Sequence, residues 1–201
     1  VRQPVLPAVV YVAAAMPAPG TLRHLGRGEL LIGPPSPQAA ADAALKARMN
    51  DIVALFARAG IAVAVSADVM TELWSKLLLN CAYNAISALA QAPYARLAAL
   101  PEVRAVQRAV VQEVIAVAAA EGIKLALEPA LAAVDRIATT MPQQFSSTAQ
   151  DVARRKPSEI EQLNGFVVRR GLALGVPTPV NQTLHALLTL VEPGYPPPAA
   201  A

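Results

Sequence analysis

The sequence predicts two architectures in series: an α/β segment over residues 1–66, then an all-helical domain over 67–193, closed by a Pro/Ala tail at 194–201 expected to be disordered. Three observations carry this. Before Ser66, short runs rich in Val, Ile and Leu are punctuated by Gly and Pro, the pattern of strands broken by turns. After Ser66, helix starts such as Asp68, Pro101, Pro157 and Thr178-Pro179 alternate with stops such as Gly122 and Gly175. The chain of 201 residues is 55% hydrophobic but only 4% aromatic, so its core must be built from Ala, Leu and Val, which favour closely packed helices.

Each element can be justified in turn. "AVVYVAAAM" (8–16) reads as a strand ended by the breaker "PAPG" (17–20). "TLRHLG" (21–26) and "GELLIG" (28–33) read as two short strands joined around Gly26 and Gly28. One helix is expected from Ser36, its N-cap, to Gly60, with Leu45, Met49, Ile52, Val53 and Phe56 on one face. "IAVAVS" (61–66) supplies another strand. Asp68 caps a helix to about Gln91, a short element follows at 93–98, and Pro101 starts a helix reaching Gly122. Further helices are expected at 128–140, from Pro157 to Gly175, and from Pro179 to Glu192.

Composition excludes several functions. The net charge is +3, but the basic clusters "ARRK" (153–156) and "VRR" (168–170) are short and carry no interleaved aromatics, unlike a nucleic-acid footprint. A single cysteine, Cys81, precludes an intrachain disulfide, and two distant histidines do not make a metal site. The apolar run 5–16 is too short to span a bilayer, and a soluble cytoplasmic protein without membrane attachment is expected.

Within "ELWSKLLLNCAYNAISAL" (72–89), Lys76, Asn80 and Asn84 recur every four residues in an otherwise apolar helix, with Glu72 one turn earlier. Four residues advance a helix by roughly 400° and 6 Å, so these side chains form one slowly turning stripe. The stripe faces either solvent along a narrow seam or a polar cavity. Asn is a poor helix former, and two of them among so many alanines point to hydrogen bonding with something, a carboxamide suiting a ligand with hydroxyl or carbonyl groups; a lysine beside apolar walls could donate a proton. Further on, "FSSTAQDVARRKPSEIEQLNG" (145–165) offers the adjacent hydroxyls of Ser146 and Ser147. It also carries Glu159, placed by the sequence in the first turn of the Pro157 helix, where a carboxylate serves equally as dipole-compensating charge or as a site residue.

Together "LWSKLLLNCAYNAISAL" and "SSTAQDVARRKPSEIEQLNGFVVRRGLALGVPTPVNQTL" resemble the carboxy-terminal domain of the ketopantoate reductase (2-dehydropantoate 2-reductase) family, and "PAPGTLRHLGRGELLIG" is similar to its last cofactor-domain strands. The resemblance implies a truncated Rossmann-type sheet over 1–66 and a helical domain like the carboxy-terminal part of 6-phosphogluconate dehydrogenase. It implies NADPH-dependent reduction of 2-dehydropantoate to pantoate, on the way to pantothenate and coenzyme A. It further implies that Lys76 is the general acid, that Glu159 orients it near the cofactor, and that Asn80 and Asn84 bind substrate. Ser147, and less directly Ser146, would contact the substrate carboxylate. Tyr94 and Gln144 depart from the asparagines the family can place there, which leaves the identity of the 2-oxo acid open. Two other readings stand beside this one. One is a related dehydrogenase of the 6-phosphogluconate or 3-hydroxyacid type. The other is a non-catalytic helical module that dimerises through Ala-rich helices such as 101–122.

No "GxGxxG" follows a strand anywhere in the chain, and "GTLRHLGRG" (20–28) has the wrong spacing. By comparison with the family, on the order of a hundred residues of a cofactor domain are absent from the front. The 201-residue chain on its own is therefore expected to bind NADPH weakly or not at all. Fluorescence titration checks this, and micromolar affinity would refute it.

Overall fold

The structure, a computed structural model, describes residues 5–192. The tail at 194–201 lies outside the described residues. The chain divides into two compact units between Leu73 and Trp74, inside a helix.

The first unit is a three-stranded sheet with helices. β1 (Ala8–Ala18) pairs antiparallel with β2 (Thr21–Ile32), and β3 (Val63–Val65) pairs parallel with β2, in the order β1-β2-β3. Residues 21–26 and 28–33, expected as two strands, belong almost entirely to one. The pairs Tyr11–Glu29 and Val12–Arg27 skip Gly28, and Ala13–Gly26 and Ala14–His24 skip Leu25, so the irregularities are bulges. Gly26 and Gly28 sit at φ 141° and 147°, angles open to glycine, and the pair marks a kink in a continuous strand rather than a chain reversal.

The single helix expected from Ser36 is also two. Ser36 Oγ does accept from the Ala39 amide at 3.2 Å, opening α1 (Pro37–Ala40). Asp42 then caps a fresh helix, α2 (Ala43–Arg58), its Oδ1 accepting from Ala44 and Leu45 amides at 2.8 and 3.3 Å. A carboxylate that captures two free amides favours a restart over continuation. Within α2 only Leu45, Met49, Ile52, Val53 and Phe56 escape full exposure, the face read from the sequence.

Helices α3 (Val69–Ala90), α4 (Tyr94–Ala98), α5 (Pro101–Ala120), α6 (Leu127–Thr140), α7 (Ser147–Ala153), α8 (Asn164–Leu174) and α9 (Pro179–Val191) follow. Asp68 caps α3 through the Thr71 amide and hydroxyl. From Trp74 onward α3 runs through the core of the second unit, where Leu78, Cys81, Ala82, Tyr83, Ala85 and Ala88 cluster with the valines of α5 and with Val167 and Leu188. Among the described residues no helix is long and apolar enough to cross a membrane.

One helix start and one helix cap differ from expectation. α8 begins at Asn164, not Pro157; residues 156–158 lack regular structure and 159–163 form a turn. The Ser158 amide donates to Glu192 Oε1 at 2.8 Å, Ser158 Oγ accepts from the Ile160 amide at 3.1 Å, and Ile160 is buried in the core, so the chain turns inward instead of coiling. α9 begins at Pro179 as expected, but Thr178 contributes no side-chain cap. Glu113 of α5 takes that place. Its Oε1 accepts from the Val180 amide at 2.8 Å, and its Oε2 accepts from the Asn181 amide and Nδ2 at 2.9 and 2.7 Å. A carboxylate at a helix amino terminus is favoured by both hydrogen bonding and the dipole. Glu113→Ala is expected to lower the stability of the second unit by about 2 kcal/mol, with Glu113→Gln losing less, as read from urea denaturation.

Candidate functional site

All six residues singled out in the sequence lie in the second unit. Lys76 and Asn80 are half-buried on α3, and Asn84, one turn on, is 5% exposed. The carboxamides of Asn80 and Asn84 enter no hydrogen bond among the described residues. The neighbouring polar side chains of the core behave differently. Gln107 Nε2 donates to the Ala82 carbonyl at 3.3 Å, and Asn164 Nδ2 donates to the Cys81 carbonyl at 3.3 Å and Asn181 Oδ1 at 2.9 Å. Neither carboxamide is sealed from solvent: among the described residues the buried side-chain polar atom left without a partner is Asn164 Oδ1. Glu72, which extends the stripe in sequence, falls in the first unit, where its Oε2 accepts from the Tyr11 hydroxyl at 3.4 Å.

The two serines part company. Ser146 is fully buried as the N-cap of α7, its Oγ accepting from the Ala149 amide at 3.0 Å and donating to the Asn84 carbonyl at 3.3 Å. Its amide donates to Ser87 Oγ at 3.3 Å, and Ser87 Oγ donates to the Ala92 carbonyl at 2.8 Å. Gln91 Nε2 reaches across to the Ala149 carbonyl at 3.2 Å. The Ser146 hydroxyl is thus engaged by the protein, while Ser147, the first residue of α7, is exposed beside it. Sequence reasoning missed Ser87 and Gln91. Ser87 does continue the α3 stripe, three residues past Asn84, and that spacing was the available signal.

Tyr94 is a core residue. Its ring centroid lies 4.7 Å from that of Tyr83 at 56°, and burial, with Tyr83 adding to it, pushes its hydroxyl pKa up to about 12. The Tyr94 amide donates to the Gln144 carbonyl at 3.0 Å, tying α4 to the segment that precedes Ser146.

Glu159 is exposed at the head of the 159–163 turn, its carbonyl accepting from the Gln162 and Leu163 amides at 2.9 and 3.1 Å. Two residues on, Glu161 Oε1 lies 2.7 Å from His185 Nε2, and Arg169 donates Nη1 to Glu161 Oε2 and Nη2 to the Glu161 carbonyl. The hydrogen bond with His185, and then the His185 and Arg169 charges, hold the Glu161 carboxyl below the usual carboxylate range. Because its folded-state pKa is depressed, Glu161 adds stability above the ordinary carboxylate value and loses it as pH falls through the folded value. Urea denaturation from neutral to acid pH should show this loss in the wild-type chain and a smaller one in Glu161→Gln. Ser146→Ala, removing a buried cap, is expected to cost about 1–2 kcal/mol at neutral pH in the same assay.

Nothing among the described residues matches a pyrophosphate cradle, since no Gly-rich turn opens a helix, and no cluster of His, Cys, Asp or Glu there could hold a metal. An α/β unit is thus followed by a helical unit whose central helix carries Lys76, Asn80 and Asn84. A model of the family "Ketopantoate reductase PanE/ApbA C terminal" matches residues 68–192. The 2-dehydropantoate 2-reductase of Pyrobaculum aerophilum is 40% identical over 148 residues, covering 74% of this chain and 53% of that protein. The crystal structure of a PanE/ApbA family ketopantoate reductase from Ralstonia eutropha superposes with a TM-score of 0.79 at 53% identity, covering 92% of this chain and 58% of that one. A dimeric ketopantoate reductase from Staphylococcus aureus gives 0.77 at 26% identity, with 92% and 61% covered. The chain belongs to the ketopantoate reductase family. It spans between half and two-thirds of the length of these relatives.

Proposed function

We propose that this chain carries the substrate-binding and proton-donating portion of an enzyme that reduces 2-dehydropantoate to pantoate with NADPH. The observation that supports it most is the pair of unengaged carboxamides, Asn80 and Asn84, on the buried central helix one and two turns beyond Lys76. NADPH, when bound, supplies the hydride that reduces the ketone. The described residues include no cradle for it, so this chain contributes the other half of the chemistry.

Negative charge builds on the carbonyl oxygen as the ketone is reduced. The Lys76 ammonium stabilises that charge and delivers a proton to the oxygen. Asn80 and Asn84 offer both donors and acceptors to the hydroxyl and oxo groups of the substrate, and as neutral groups they do not compete for the proton. Ser147, exposed at the amino terminus of α7, binds the substrate carboxylate, and buried Ser146 holds that terminus against Asn84. Glu159 orients the lysine. The enzyme works in the cytoplasm. It pairs with a second copy, the Staphylococcus aureus relative being dimeric.

In a version bearing a complete cofactor domain, Lys76→Ala is expected to lower kcat by about 10²–10⁴-fold with 2-dehydropantoate. Asn80→Ala and Asn84→Ala are expected to raise KM by about tenfold or more, each removing hydrogen bonds to a polar substrate. A Lys76→Ala enzyme with unchanged turnover would remove the assignment.

A further inference from the structure

We infer that Glu161, gripped by Arg169 and His185, is a positioning residue for Glu159, fixing the turn from which the Glu159 carboxylate is presented. This rests on the reading of Glu159 as part of the catalytic machinery. Glu159 lies outside any helix, and a short exposed turn has few neighbours to restrain it. Yet its flanks are held on both sides. Upstream, the Ser158 amide is bound by Glu192 at the end of α9. Downstream, Ile160 is anchored in the core, 1% exposed, and Glu161 is bound by α8 and α9 together. Arg169 is decisive in this arrangement, because its guanidinium takes both a side-chain oxygen and the main-chain oxygen of Glu161. A grip on the carboxylate alone would leave the backbone free to rotate; a grip on both fixes the peptide that follows Glu159 by two residues.

Gly165 makes room for the clamp. A Cβ there would come within 2.9 Å of His185 Nε2 and 3.1 Å of Glu161 Oε2, so a larger residue makes the imidazole shift and crowds the carboxylate. Stability alone does not account for the cluster. Arg169 and Glu161 are both more than half exposed, and exposed ion pairs add little to folding free energy. What such a pair does provide, when the same guanidinium also holds a main-chain oxygen and a third group backs it, is geometry.

The test compares Glu161→Ala, Glu161→Gln, Gly165→Ala and Glu159→Gln, by amide hydrogen exchange in this chain and by steady-state kinetics in a version with a complete cofactor domain. Glu161→Ala and Gly165→Ala are expected to speed exchange at the Gln162 and Leu163 amides by about tenfold, leaving Val114 unchanged, and to lower kcat by about tenfold with little change in KM. Glu161→Gln can still accept from Arg169 and donate to the imidazole, so it should restore most of both. Unchanged exchange and kcat in Glu161→Ala, or a kcat loss that glutamine does not rescue, would overturn the inference. Full activity in Glu159→Gln would instead overturn the reading of Glu159, while the exchange data still report on the clamp.

Discussion

The second unit depends on spare lone pairs of the α3 carbonyls. A helical carbonyl uses one lone pair in the backbone ladder and keeps another. In α3 the Cys81, Ala82 and Asn84 carbonyls each take a further hydrogen bond, from Asn164 of α8, Gln107 of α5 and Ser146 at the head of α7. Three helices are thus keyed to the backbone of one by short polar side chains. Such side chains reach a backbone only where the intervening surface is thin. Ala82, Ala85 and Ala88, all essentially buried, give α3 that thinness. The alanine-rich composition therefore does more than favour helix: it lets neutral amides and hydroxyls lock the register of packed helices without buried ions.

That locking has a chemical consequence. The groups that fix the scaffold are tied to backbone atoms, and they leave other groups on the same helix without internal partners. Asn84 shows both roles at once, because its carbonyl holds Ser146 while its carboxamide stays unengaged. The α3–α7 junction is thereby rigid on the side that faces the core. On the other side it presents Ser147 within one residue of the anchored cap.

How much of this was legible in the sequence varied with the range of the forces involved. The α3 helix, the α2 face and the caps at Ser36 and Asp68 are local, set by helical period and by side chains reaching amides three residues on, and they were read correctly. The break at Asp42 was local too, but it sat inside a continuous apolar pattern, which masked a good N-cap. Gly26 and Gly28 announced irregular backbone without saying whether it was a bulge or a turn; the pairing partner in β1 decides that. The start of α8 was not legible. Pro157 fits a first helical position, and only the remote acceptor on Glu192 and the burial of Ile160 pull the chain away from coiling there. Glu113 as the cap of α9 lies equally out of reach, since it acts from 67 residues away.

The pair Glu159 and Glu161 shows why residue type and spacing alone do not locate chemistry. Both are glutamates, both are exposed, and both lie in one turn two residues apart. Their partners separate them. Glu161 is gripped by a guanidinium and an imidazole, which depress its pKa and fix its place; the Glu159 carboxylate enters no hydrogen bond among the described residues. For an exposed carboxylate this says little by itself, since water satisfies it. The same holds for the Asn84 carboxamide, whose polar atoms are not sealed from solvent. On α3 the engaged backbone carbonyls build the frame, and the Asn80 and Asn84 carboxamides are left open on it. By that contrast Glu161 belongs to the frame of the turn, and Glu159 takes its place from the neighbours that hold the turn on either side of it.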